Sequence, residues 1–197
     1  MKFSEGLKYP WGKPKRLWNV LWILIPILGI FAIMGYGKKI VNSIVKGNKK
    51  ELPQFGSFGE NLGIGFMLFL KVIPILIVLM IVNFIPVIGQ IIYLIIAIFF
   101  LPWLMINLMQ KYTIASTFEF DKAANIVFNN FVEYLVILVK SVVYAAIYGI
   151  LSIVLVGIPC SIFGKYIYLA DFYRKYSRTP AKKPIKKIGK SVKAKKK

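Results

Sequence analysis

Asn83-Phe84-Ile85-Pro86-Val87-Ile88-Gly89 is the stretch that decides the fold. It joins two long apolar runs, carries no charge, and is short enough to be only a tight turn. The runs on either side cover 62–83 and 87–109, and each is near the ~20 apolar residues that a membrane-spanning helix needs. A second uncharged connection, Val156-Gly157-Ile158-Pro159-Cys160, joins runs at 131–156 and 158–176 in the same way. Almost every Lys and Arg falls in the other connections. The positive-inside rule therefore predicts two transmembrane helical hairpins whose turns lie on the far side and whose ends lie in the cytoplasm.

Composition agrees with that reading. Of the 197 residues 58% are hydrophobic, and the mean hydropathy is +0.68, well above what one soluble core requires. The first apolar run is followed by Gly35-Tyr36-Gly37-Lys38-Lys39 rather than by a small-residue cleavage site, so no cleavable signal peptide is expected. The predicted fold is an all-α integral membrane helical bundle. It has two transmembrane hairpins plus an N-terminal re-entrant or fifth transmembrane segment, with residues 1–176 as the membrane domain and 177–197 as a disordered Lys-rich cytoplasmic tail.

Residues 17–36 leave two readings open. The length suits a span, yet lysines flank both sides: Lys8, Lys13, Lys15 and Arg16 before it, Lys38, Lys39, Lys46, Lys49 and Lys50 after it. Its centre, Ile25-Pro26-Ile27-Leu28-Gly29, echoes Ile85-Pro86-Val87-Ile88-Gly89, and proline interrupts a helix. A short re-entrant hairpin is favoured over a fifth span. After Gly37 the pattern turns amphipathic, with Ile40, Val41, Ile44 and Val45 on one face, which predicts a helix lying in the headgroup layer. Ser57-Phe58-Gly59-Glu60 has the spacing of a capping box and opens the next helix. A similar start recurs at Phe118-Glu119-Phe120-Asp121.

Catalysis is disfavoured by what the chain lacks. There is no histidine, one cysteine (Cys160), and seven acids: Glu5, Glu51, Glu60, Glu119, Asp121, Glu133 and Asp171. That inventory builds no histidine triad, thiolate–histidine pair or His/Cys metal site, so no catalytic residue, cofactor or metal is expected. Glu119 and Asp121 read as an N-terminal helix cap, and Cys160 as a packing residue.

Charged residues within apolar runs are the usual place to look for function in a membrane protein. Lys71, Lys140 and Asp171 are the candidates, while Lys165 is expected to snorkel toward an interface. Asn83, Gln90, Asn107, Tyr93, Tyr144, Tyr148, Tyr166 and Tyr168 are expected to hold the bundle together. Trp11, Trp18, Trp22 and Trp103 are expected to anchor at interfaces. Gly63, Gly65, Gly149 and Ala145 or Ala146 offer places for helices to approach closely, which leaves room for homo-oligomers.

Formal net charge is +20, and Arg174 to Lys197 alone holds twelve Lys or Arg and no acid. Lys182, Lys183, Lys186, Lys187, Lys190, Lys193, Lys195, Lys196 and Lys197, broken up by Pro184 and Gly189, describe a flexible arm that binds anionic lipid or RNA. Its simplest role is as a topology anchor.

Gly35-Tyr36, the Leu52-Pro53 step, Gly63 and Gly65 at the next helix, and a Tyr-rich last helix ending in Tyr173-Arg174 resemble an uncharacterised family. It is the domain-of-unknown-function family numbered four-thousand-and-thirteen, polytopic membrane proteins of archaea and some bacteria. The resemblance covers roughly residues 8–176. It implies an integral membrane protein and brings no activity or catalytic residue with it.

These observations lead to an expected function. The chain reads as a non-enzymatic, multi-pass scaffold or accessory protein of the cell membrane, with a cytoplasmic C-terminus. Its basic cytoplasmic face recruits anionic lipid or a protein partner. Two alternatives stand beside it. One is a small transporter or channel subunit using Lys71, Lys140 and Asp171 in one cavity. The other is a ribosome-docking factor whose tail grips ribosomal RNA.

Overall fold

A computed structural model describes residues 1–154 and 157–177. The tail lysines from Lys182 to Lys197 lie outside the described residues, as does the Leu155-Val156 step of the second turn. Among the described residues there are helices and no strands. Four helical stretches are long and apolar enough to cross a membrane: Leu28–Val45, Phe58–Asn83, Ile88–Lys111 and Phe131–Leu151. This is a helical membrane protein.

In chain order the helices are α1 (Phe3–Lys8), α2 (Leu28–Val45), α3 (Phe58–Asn83), α4 (Ile88–Ile95), α5 (Leu101–Lys111), α6 (Phe120–Asn129), α7 (Phe131–Leu151), α8 (Gly157–Gly164) and α9 (Ile167–Ser177). A π-helical turn, Ile96–Phe100, joins α4 to α5, and a 3-10 stretch, Pro14–Leu24, precedes α2. Ser57 caps α3 as its spacing predicts, accepting a hydrogen bond from the Glu60 amide at 3.1 Å. Pro74 is accommodated inside α3 without ending it.

Two turns are built alike. Ile27 (φ 63°) and Val87 (φ 61°) both take a positive φ, which a β-branched residue rarely adopts. Each is spanned by a hydrogen bond of γ-turn type, Leu28 N–H to the Pro26 carbonyl at 2.6 Å and Ile88 N–H to the Pro86 carbonyl at 2.7 Å. Gly29 and Gly89 then donate to the carbonyls of Ile25 and Ile85. Both glycines lie where a Cβ would strike backbone, of Trp22 and Val82 respectively. The echoed sequence is thus an echoed turn.

The N-terminal segment folds back on itself at the first of these turns. α2 then packs antiparallel on α3, with Gly35 against the backbone of Asn61 and Gly65 against that of Phe31. In that register Ile27 is level with Phe69, and the Phe31 ring meets Phe66 and Phe69 at 5.4 Å. α3 runs on for roughly 14 residues past that level, about 21 Å.

The structure corrects four sequence expectations. The amphipathic stretch after Gly37 is the second half of α2, and Ile40, Val41, Ile44 and Val45 are buried in the core rather than laid on a headgroup layer. Residues 158–176 are two short helices instead of one span. Gly164 packs on the Tyr144 ring at their junction, and α9 is buried from Ile167 to Tyr173. Trp103 is 2% exposed and lies in the core with its ring tilted against that of Tyr173 at 5.6 Å, so it is no interface anchor. Only Gly65 of the proposed close-approach glycines makes one, since a Cβ at Gly63 or Gly149 would meet nothing within 4 Å.

Charge is sorted along the bundle. No charged residue occurs from Val72 to Gln110 or from Ser141 to Gly164, so beyond Lys71, Lys140 and Lys165 the far ends of the helices are uncharged, and Asn83 and Gln90, expected to bind the bundle together, are exposed there instead. There Phe84, Ile85, Val87, Ile88, Ile150 and Ile153 are exposed, each at 51% or more. A surface of that kind marks contact with a membrane or another protein. The other end carries the ion pairs.

Candidate functional site

Asp171 organises the charged end. It lies on α9, with its side chain 10% exposed, and pairs with Lys49 Nζ at 2.5 Å and Arg174 at 3.1 Å. The amino group of Met1 bonds its other oxygen. Burial pushes its carboxyl up, but hydrogen bonds from Lys49 and Met1 outweigh that and hold its pKa at about 2. The carboxylate is therefore ionised at any physiological pH and is no proton donor.

Beside Asp171 opens a cavity of about 280 Å³, bounded by Lys49, Lys140, Asp171, Arg174, Lys175 and Glu133 among others. Glu133 accepts from Lys175 at 2.8 Å and from the Tyr176 hydroxyl. Four cationic side chains thus face two carboxylates. Asp171 answers Lys49 and Arg174, and Glu133 answers Lys175, while no carboxylate among the described residues pairs with Lys140. An ammonium half-buried at the rim of a cavity with net positive charge favours an anionic occupant.

The structure thus brings Lys140 and Asp171 to one cavity. Lys71 lies elsewhere. Its Nζ donates to the Tyr112 carbonyl at 2.8 Å and sits 3.5 Å from the centre of the Tyr112 ring. Tyr112 is the left-handed residue that ends α5, so Lys71 satisfies a helix-end carbonyl that would otherwise lack a partner. Lys38 lies 4.3 Å from the same ring. The Tyr112 hydroxyl donates to the Ile64 carbonyl, tying α5 to α3.

Glu119 departs from its expected role. It stands at the N-cap position of α6, yet its side chain makes no capping bond. Its carboxylate instead takes Lys111 and Lys122 at 2.5 and 3.2 Å and the Asn107 amide at 3.2 Å. Burial pushes its pKa up, but those bonds bring it below the ordinary range. Asn107 also accepts from the Tyr173 hydroxyl at 2.8 Å and donates to the Ser116 carbonyl at 2.9 Å, joining α5, the following loop and α9.

A chain of tyrosines holds the first twelve residues against α7 and α9. Tyr148 donates to the Leu7 carbonyl at 2.7 Å and accepts from Trp11 Nε1 at 3.0 Å, and Tyr168 donates to the Phe3 carbonyl at 2.8 Å. Sequence reasoning found these tyrosines but not Met1, Lys49 and Arg174 as partners of Asp171, nor Glu133 as the partner of Lys175. Arg174 lies three residues after Asp171 on α9, a helical spacing that could have pointed to it, whereas Met1, Lys49 and the Glu133–Lys175 pair are brought together only by separate elements. No family model, curated protein or solved structure matches this chain.

Proposed function

We propose that this protein is a membrane-embedded scaffold whose basic end holds anionic lipid headgroups on the cytoplasmic side, and that it catalyses no reaction. The observation that carries this reading is the cavity beside Asp171, where Lys140 faces an excess of cations with no carboxylate of its own. A lipid phosphate supplies the missing charge. The apolar ends of the hairpins then lie in the acyl region. The N-terminal hairpin, whose tip stops level with Phe69 just short of Lys71, reaches the headgroup level and does not cross. In this arrangement the C-terminal tail stays at the cytoplasmic surface and adds nonspecific attraction for the same lipids.

From Lys71 to Asn83 the apolar part of α3 measures about 18 Å. The lysine stem adds several ångströms toward the phosphates, which still leaves the bundle somewhat short of a ~30 Å hydrocarbon core. Local thinning of the bilayer closes such a gap at modest cost.

The transporter reading keeps one observation in its favour, the shared cavity of Lys140 and Asp171. Both proposals meet in one experiment. The full-length chain and one ending at Ser177 are purified from native membranes at low and high salt, and retained lipid, RNA and protein are identified. The scaffold reading predicts anionic lipid on both forms, released by salt. Lipid, RNA or protein retained by the full-length chain alone moves the function to the tail. Retention of neutral lipid only, on both forms, contradicts the proposal.

A further inference from the structure

A second opening lies on the flank of the bundle, away from the Asp171 cavity. It is a groove of about 520 Å³ between the π-helical turn and α5 (Ala97, Leu101, Pro102), α7 (Leu138, Val142, Ala145) and the α8–α9 junction at Lys165. That volume falls within the usual ~300–1,000 Å³ range of ligand sites. Three features define what it takes.

The walls are mainly apolar, and both serine hydroxyls on them already donate within the protein. Ser141 donates to the Ile137 carbonyl at 2.9 Å and Ser161 to the Ile158 carbonyl at 2.8 Å, each on its own helix. Among the described residues Lys165 is the one charged side chain on the lining. It is exposed, its ammonium lies 5.3 Å from the centre of the Tyr166 ring, and no carboxylate among the described residues pairs with it. The groove also depends on the backbone irregularity beside it. The π-helical turn Ile96–Phe100 and Pro102 carry α4 into α5 along its edge, and such turns recur at functional sites.

We infer that this groove is a binding site for one anionic phospholipid, with an acyl chain along Ala97, Leu101, Val142 and Ala145 and the phosphate on Lys165. Lys165 stands with Lys71 and Lys140 among the last charges before the apolar end, which is the level at which headgroups meet the protein. An ammonium beside the acyl region is unfavourable without a partner, and a lipid phosphate is the anion present there. The site rests on the protein's being embedded in a bilayer and is independent of the Asp171 cavity.

The test uses the full-length protein in bilayers containing a phosphatidylglycerol or a phosphatidylcholine analogue with a photoreactive acyl chain, the crosslinks being mapped by peptide mass. The expected result is labelling of Leu101–Met105 and Leu138–Ala145, about tenfold stronger with phosphatidylglycerol. Lys165→Gln reduces that labelling to the phosphatidylcholine level. Ala145→Trp, at an exposed position whose larger side chain fills the groove, removes labelling by both lipids while the thermal midpoint is retained. Lys140→Gln, at the Asp171 cavity, leaves the pattern unchanged, so a failed scaffold reading and a failed groove are told apart. Equal labelling by the two lipids, or a phosphatidylglycerol preference that survives Lys165→Gln, overturns the inference.

Discussion

Gly65 of α3 lies directly against the carbonyl oxygen of Phe31 in α2, and no Cβ fits between them. Gly35 and Asn61 repeat the arrangement with the helices exchanged. Close backbone approach of this kind is how helices pair where lipid supplies no hydrophobic drive. Gly65→Leu is expected to force α2 from α3 and lower stability by about 1–3 kcal/mol. Gly63→Ala meets nothing within 4 Å and is expected to raise it by roughly 0.5–1 kcal/mol through helix propensity. Thermal unfolding in detergent distinguishes them, and equal midpoints for the two variants would refute the packing.

Asp171→Asn removes the shared partner of Lys49 and Arg174. The native pKa of about 2 lies below the ordinary ~3.9. The carboxylate therefore contributes stability that is complete above about pH 4 and is lost as pH falls through 2. The shift corresponds to roughly 2–3 kcal/mol at neutral pH. The Asn variant is expected to unfold that much more easily at pH 7 and to match the parent near pH 2, in urea titrations at each pH.

Tyr148→Phe deletes a hydroxyl that serves both Leu7 and Trp11. The net loss is about 1 kcal/mol, and it falls on the N-terminal segment. Trypsin is expected to cut after Lys8 several-fold faster in the variant, with cleavage after Lys122 unchanged. A uniform acceleration at both sites would mean that the hydroxyl stabilises the whole bundle rather than this segment.

The repeated turn gives a paired test. Val87→Gly relieves a positive φ at a β-branched residue, and it is expected to be neutral or to stabilise by up to about 1 kcal/mol. Gly89→Val places a side chain against the Val82 carbonyl and is expected to destabilise by more than that. If both substitutions destabilise equally, the γ-turn geometry is not the native one.

Much of this architecture was legible in the sequence because lipid imposes a coarse code. Uncharged runs flanked by lysines gave the apolar helices, and Ile-Pro with a following glycine gave the turn at Ile85-Gly89 and its copy at Ile25-Gly29. What misled was the assumption that an apolar residue faces lipid. Ile40, Val41, Ile44 and Val45 and the apolar face of α9 are covered by other helices, and hydropathy does not separate the two environments. Trp103 failed for the same reason. The site was half legible: Lys140 and Asp171 stood out as charges in apolar surroundings, but Lys49 and Arg174, which pair with Asp171, and the Glu133–Lys175 pair beside them look like ordinary flanking charges until the chain is folded. Lys71 stood out equally and proved to answer a helix-end carbonyl.

The central claim, that the basic end holds anionic lipid through Lys140 and its neighbours, is tested most directly by the thermal midpoint of the detergent-purified protein with added phosphatidylglycerol or phosphatidylcholine. A ligand at 100 times its Kd adds about 2.7 kcal/mol, several degrees for a chain of this size. The account predicts a rise of that order with phosphatidylglycerol alone, reduced by high salt and largely lost in Lys140→Gln. The same rise with phosphatidylcholine, or an undiminished rise in Lys140→Gln, would contradict it.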